Sequence, residues 1–265
     1  MTKSEIEKEL IINHKNYSCR ELAKKLNVPY STLRKIALRI NIKFTARKNN
    51  SDIKKFKKLS PLSSYILGFL WADGSIGKRK GRPSNVATEI TQKDAFYLEQ
   101  AYNLCGIKYS KYERTRPGRS PQCSLTINDC SFTEFLIDVF DFDKKSQKLP
   151  NPKLFKYFDS FLLGFMDGDG YIGKRVEFSG SYNFDWGVLT AYLDSKGISD
   201  YRLRKYISPK TGHSLSSVRI NVRGSKLLLD TLYKRPAFYL PRKFQAYNTF
   251  FVSSKERNPS SKIAK

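Results

Sequence analysis

The chain is short of acid, of cysteine and of long apolar runs, and each shortage excludes a class of protein. Only 24 Asp+Glu stand against 49 Lys+Arg in 265 residues, a formal charge of +25 spread along the sequence. Such a field attracts a polyanion; nucleic acid is the first candidate and a membrane surface the alternative. The four cysteines, Cys19, Cys105, Cys123 and Cys130, form no C-x-x-C pair and have no neighbouring histidine. That pattern excludes a disulfide framework and a zinc site and leaves reduced, partly buried thiols. No apolar stretch approaches membrane-spanning length, and the charged start Met1-Thr2-Lys3-Ser4-Glu5-Ile6-Glu7 lacks a signal-like apolar region. A soluble, intracellular, cytoplasmic protein without membrane association is expected.

What is present is 40% hydrophobic content, enough for one sizeable core or two and a small extra module. Two stretches say nearly the same thing: Ile66-Leu67-Gly68-Phe69-Leu70-Trp71-Ala72-Asp73-Gly74 and Leu162-Leu163-Gly164-Phe165-Met166-Asp167-Gly168-Asp169-Gly170. Each is an apolar, helix-like run ending in Asp-Gly, and each leads into a short strand. The aspartates fall about 96 positions apart, too far for a solenoid repeat, so they mark two copies of a half-domain.

The apolar spacing of Ile6, Leu10, Ile11, Leu22, Ala23, Leu26, Leu33, Ile36, Ala37 and Ile40 predicts helices from Ser4 to about Ile42. Two of them are joined by a tight turn at Asn27-Val28-Pro29, with Ser18 as N-cap of the first and Tyr30 or Ser31 opening the second. This resembles a helix-turn-helix, in which the second helix enters the DNA major groove. Tyr30, Ser31, Thr32, Arg34 and Lys35 are its candidate contacts, and Arg39 adds basic charge. A plain three-helix bundle without a ligand is the alternative.

Lys43 to Leu59 is polar and basic and reads as a linker. Beyond it, strands are expected at Ser75–Lys78, Asn85–Thr91, Tyr109–Arg116 and Gln122–Asn128, with helices at Asp94–Leu104 and from Asp129 or Ser131 to Phe140. The second copy repeats the order: strands near Tyr171–Ser179, a helix at Asn183–Ser195, strands Tyr201–Ile207 and Leu215–Val222, and a helix at Ser225–Tyr233. Gly106-Ile107 and Gly197-Ile198 stop the equivalent helices.

On a helix, Gly68 and Ala72 share a face, as do Gly164 and Gly168, so the two backbones can approach closely. That packing puts Asp73 and Asp169 together at two helix C-terminal ends, where the macrodipole and mutual repulsion oppose ionisation unless a cation intervenes. Oxygen-only ligands point to Mg2+ or another hard divalent cation such as Mn2+, and two carboxylates beside a polyphosphate are parts of metal-assisted phosphodiester hydrolysis. An Asp-Gly after a helix is also a common C-terminal turn; its duplication in so basic a chain favours metal.

The two segments resemble the LAGLIDADG motif of homing endonucleases, present twice as in that family's single-chain members, and the resemblance runs from about Ser60 to near Phe251. It implies an α+β fold of two pseudo-symmetric αββαββα half-domains with antiparallel DNA-binding sheets, preceded here by a small all-α helix-turn-helix domain. The expected division is 1–45 helix-turn-helix, 46–59 linker, 60–150 first half, 151–255 second half and 256–265 basic tail.

The resemblance makes Asp73 and Asp169 the metal ligands. The motif's usual acid at the sixth position is Asp167 in the second copy and Trp71 in the first. Family members carry a polar residue near an early strand end, matched by Gln92 in Thr91-Gln92-Lys93, a candidate for holding the attacking water. In the second copy Gly180 or Asn183 occupies that region. A lysine after the last helix of each half points to Lys145 and Lys243, which would stabilise charge on the phosphate or tune the water, or contact phosphate.

Strand alternation puts every second side chain on a groove-facing surface. Candidates are Lys78, Arg79, Arg82, Arg114, Arg116, Arg119 and Gln122 in the first half, and Lys174, Arg175, Arg202, Arg204, Lys205, Lys210 and His213 in the second. The expectation is a monomeric, site-specific endonuclease that breaks both strands of a long DNA target. A transcription regulator on an inactive scaffold, or a splicing cofactor binding intron RNA, are the rival readings.

Overall fold

A computed structural model describes residues 1–14, 17, 19–42, 44, 53–79, 81–115, 117–118, 120–209 and 212–252. The chain divides into two compact units, Met1–Asn50 and Ser51–Lys265.

In the first unit, α1 (Lys3–Asn13) starts at a reciprocal capping box between Thr2 and Glu5, which satisfies two otherwise orphaned amides. Helices α2 (Cys19–Lys25) and α3 (Tyr30–Arg39) follow, joined by a turn in which Asn27 takes φ 53°. Ile6, Leu10, Leu22, Ala23, Leu33, Ile36 and Ala37 form the core. Ile11, expected inside, is 60% exposed, because Ile6 and Leu10, four apart, already define the buried stripe of α1. Ser18, expected as an N-cap, lies outside the described residues.

The second unit begins with α4 (Lys54–Lys57), a short helix inside the stretch expected to be linker. Phe56 explains it: the ring is fully buried and meets Phe132 edge-on, with centroids 5.1 Å apart. Residues 46–52, the first half of that linker, and the tail 256–265 lie outside the described residues. Then come α5 (Pro61–Asp73), β1 (Gly74–Arg79), β2 (Arg82–Thr91), α6 (Gln92–Leu104), β3 (Ser110–Arg114), β4 (Gln122–Ile127) and α7 (Cys130–Phe140). Ser60 caps α5, Pro61 takes its first position and Thr91 caps α6, so residue chemistry sets these starts.

The order recurs as α8 (Phe158–Asp169), β5 (Gly170–Ile172), β6 (Val176–Ser181), α9 (Gly187–Ser195), β7 (Tyr201–Ile207), β8 (Ser214–Ile220) and α10 (Val222–Leu232). The unexpected α11 (Pro241–Tyr247) follows. The two four-stranded antiparallel sheets have the strand orders β1-β2-β4-β3 and β5-β6-β8-β7, the same pattern twice. Val86, Thr88, Leu125 and Ile127 of the first sheet and Val176, Phe178, Val218 and Ile220 of the second face the core. The alternate residues face outward.

Helix α9 begins at Gly187, four residues later than expected. Asp185 is held elsewhere: its amide donates to Gln147 O at 2.6 Å and its carboxylate accepts from the Gly187 amide at 2.8 Å. Phe184 and Trp186 are meanwhile buried. No disulfide forms: Cys105 and Cys123 are buried thiols, and Cys19 and Cys130 are half-buried. No helix among the described residues is long and apolar enough to cross a membrane.

Candidate metal and nucleic-acid site

Helices α5 and α8 pack together more extensively than any other described pair of elements. Their glycines explain how. A Cβ on Gly68 would lie 1.8 Å from Phe161 O, and one on Gly164 would lie 2.0 Å from Tyr65 O, distances no side chain tolerates. A Cβ on Gly168 would meet Ala72 Cβ at 2.4 Å and the Asp73 carboxylate at 3.0 Å. The small-residue faces therefore meet, and the two Asp-Gly ends lie side by side.

Asp73 is half-buried and Asp169 exposed. Lost hydration, then the charge of Asp169, pushes the Asp73 carboxyl up to about 7, against the pull of Lys145, Lys243 and Arg242. Lost hydration also raises Asp169, with Lys145 and Lys243 opposing. Each helix end receives a lysine. Lys145 Nζ donates to Trp71 O and Ala72 O, both at 3.0 Å, and Lys243 Nζ donates to Gly170 O. These cations satisfy carbonyls that a helix end leaves unpaired and counter its negative dipole. Burial lowers both lysines, Lys243 to about 8.

The sixth position of each segment performs the same task with opposite polarity. Trp71 Nε1 donates to Lys148 O at 3.0 Å. Asp167, fully buried, accepts on Oδ2 from Tyr65 OH at 2.7 Å and from the Leu240 amide at 2.8 Å, while its Oδ1 has no partner among the described residues. Both side chains thus tie the motif helix to the backbone segment that carries the lysine. Burial pushes the Asp167 carboxyl up to about 7.

Sequence reading missed Arg242 and Asp94. Arg242 Nε donates to both Asp94 oxygens, at 2.9 and 2.8 Å, and Nη2 donates to Asp167 O at 3.4 Å. Asp94 belongs to α6 of the first copy, so this pair links the copies across a separation no local pattern reveals. The available signal was position: Arg242 stands beside Lys243, and Asp94 two after Gln92.

Gln92 is exposed and donates to Glu113 Oε2 at 3.1 Å; Glu113 also meets Lys111 at 2.9 Å. Gly74 pairs with Thr88 and Gly170 with Phe178, so the second-copy position matching Gln92 is Tyr182, not Gly180 or Asn183. By the same register Glu113 matches Lys205, whose ammonium lies 4.6 Å from the Tyr182 ring centroid.

The sequence candidates for nucleic-acid contact separate by face. Arg114, Gln122, Arg202 and Arg204 belong to the outward register, whereas Lys205 pairs with buried Ser216 and stands on the opposite side. Arg114 lies 3.9 Å from Glu89. Lys78 and Arg79 follow a register shift in β1, Arg82 opens β2, Lys174 and Arg175 form the turn before β6, and His213 precedes β8. Arg116, Arg119 and Lys210 lie outside the described residues. In the first unit Tyr30, Ser31, Thr32, Arg34 and Lys35 share the exposed side of α3, with the Arg20 guanidinium 5.6 Å from the Tyr30 ring centroid. Arg39 instead pairs with Glu7 of α1.

The donor set at the helix ends suits a hard divalent cation: two carboxylates whose ionisation is opposed by lost hydration and, for Asp73, by its neighbour's charge. Among the described residues no cluster of three His, Cys, Asp or Glu side chains offers a fuller cage. Such an ion keeps positions open for water and phosphate, the usual mode for magnesium.

No protein-family model matches the chain, and no curated protein is similar to it. Among solved structures, the homing endonuclease I-WcaI bound to its DNA recognition sequence aligns with a TM-score of 0.51 at 16% identity, over 76% of this chain and 95% of that one. I-DmoI in complex with DNA and calcium aligns at 0.48 and 14% identity, over 70% and 96%. Full-length DUF199/WhiA from Thermatoga maritima aligns at 0.47 and 11%, over 79% and 66%. The likeness to I-WcaI shows that the chain has the homing endonuclease fold.

Proposed function

We propose that the chain is a site-specific DNA endonuclease of the homing type, breaking both strands of a long duplex target as a monomer. The juxtaposition of Asp73 and Asp169 at two helix ends carries this reading, and the fold shared with a DNA-bound homing endonuclease supports it. Asp73 and Asp169 hold the divalent cation, magnesium or manganese, which when bound supplies Lewis-acid stabilisation of the charge developing on the phosphate. Lys145 and Lys243 fix the helix ends and add positive charge beside that phosphate. Gln92 leaves Glu113 to orient the attacking water, a role that its counterpart Tyr182 has no amide to perform.

The segments 60–150 and 151–255 act as two pseudo-symmetric halves, each laying its outward sheet face along the major groove. Residues 1–45 act as a helix-turn-helix module that extends the contact, with the polar side of α3 toward DNA.

Duplexes selected from a random pool by the protein in calcium provide the substrate for the test. With magnesium, the protein linearises a plasmid carrying the selected site, and a chelator stops it. Binding without cutting in magnesium would replace this reading with a regulator. Deleting residues 1–50 weakens binding and lowers the salt dependence of affinity while cutting at saturating protein persists; unchanged affinity would remove DNA contact from the first unit.

A further inference from the structure

The outward faces of the two sheets carry different chemistry at matched positions, and the difference bears on sequence reading. On the second sheet Glu177 of β6 pairs in register with Arg219 of β8, which pairs with Arg202 of β7. One carboxylate oxygen of Glu177 accepts a hydrogen bond from Arg219 Nε at 2.9 Å and stands in ion-pair contact with Nη2 at 2.8 Å. The other accepts from Ser217 Oγ at 2.7 Å, beneath them and fully buried. The guanidinium is therefore held by an acid that is itself held, and Arg219 and Glu177 line an open cavity of about 410 Å³ together with Tyr171, Lys174, Arg175 and Phe250.

The register assigns each of these positions a counterpart in the first sheet. Arg219 matches Thr126, Glu177 matches Ala87, Ser217 matches Ser124, Arg202 matches Ser110 and Tyr171 matches Ser75. Glu177, Arg219 and Arg202 are thus replaced by a methyl or a hydroxyl in the first sheet, whereas Lys174 and Arg175 of the cavity rim have basic counterparts in Lys78 and Arg79.

We propose that Arg219, oriented by Glu177 and Ser217, is a specificity-determining residue that reads a single guanine in the half-site under the second sheet, and that the first sheet reads no equivalent base. The chemistry follows from which donors remain. With Nε bonded to Glu177 and Nη2 paired to it on the same edge, the planar guanidinium leaves its Nη1–Nη2 fork free of the carboxylate. Guanine alone presents two adjacent acceptors, N7 and O6, to such a fork in the major groove; adenine offers N7 beside a donor that repels it. The outward hydroxyls of Ser124 and Thr126, 3.5 Å apart, donate or accept and so tolerate any base. An arginine without the carboxylate would swing to the nearest phosphate, which positions a protein but carries no sequence.

This inference rests on the DNA-reading role proposed above, and selection from a random duplex pool in calcium separates the two. The wild-type pool has one nearly invariant guanine that the R219A pool loses, with discrimination there falling about tenfold to a hundredfold while the other positions persist. R219K restores little, because an ammonium has no fork. E177A also relaxes that position but raises affinity for unrelated duplex, since it removes an anion from the surface. Uniform weakening of all sequences by R219A would make Arg219 a phosphate contact, and an unchanged consensus would make it a surface ion pair. Either result overturns this inference and leaves the endonuclease reading standing. A wild-type pool without any consensus would overturn both.

Discussion

Trp71 and Asp167 occupy the same position in two copies of one structural plan, and they solve one problem in opposite senses. The indole donates to a carbonyl and the carboxylate accepts from an amide, and each anchors the segment carrying its lysine. The sheets compare in the same way: strand order and register repeat, while Gln92 is matched by Tyr182, Glu113 by Lys205 and Thr126 by Arg219. What stays alike is what close approach and the helix ends demand, namely Gly68 and Gly164, Asp73 and Asp169, Lys145 and Lys243. What differs lies on the sheet faces, where no close approach constrains the side chain, or is what either polarity can satisfy.

The alike positions give the largest expected effect. Gly68→Ala and Gly164→Ala each force a methyl into a backbone carbonyl of the partner helix and should destabilise the second unit by about 3 kcal/mol or more, to similar extents. Denaturant titration of the two variants measures this. A loss for one glycine only would show that the helix pair is not symmetric at its closest approach.

The unlike position gives a smaller, pH-dependent effect. Burial holds the Asp167 carboxyl near 7, above its unfolded value, so the folded state keeps a proton that the unfolded state releases. Its contribution is complete below about pH 4 and is lost as pH rises through 7. In chelator, wild type should therefore lose roughly 1–3 kcal/mol more than Asp167→Asn between pH 5 and pH 8. The background from Asp73 and Asp169 is common to both proteins and cancels. Parallel stability curves would mean that Asp167 is as indifferent to pH as Trp71.

Much of this was legible in the sequence where the cause is local. The repeated glycines announce the helix contact because nothing larger fits there, and strand β7 is found at Tyr201–Ile207 as the pattern predicts. Ser60, Pro61 and Thr91 set helix starts by their own chemistry. The failures share a different cause. Helix α9 starts late because Asp185 is claimed by Gln147, and α4 exists because Phe56 finds Phe132. Arg242 reaches Asp94 across most of the second unit, and the match of Gln92 to Tyr182 follows only from strand pairing. Partners distant in sequence leave no periodicity to read.

In the proposed endonuclease Asp73 and Asp169, one from each copy, act together on one metal-dependent cleavage centre. Single-turnover cutting of a selected duplex in magnesium, with each strand labelled separately, tests it in wild type, Asp73→Asn and Asp169→Asn. Wild type should cut both strands at unequal rates, and either substitution should abolish both cuts while DNA binding in calcium persists. One strand still cut at the wild-type rate in either variant would show two independent sites and contradict it.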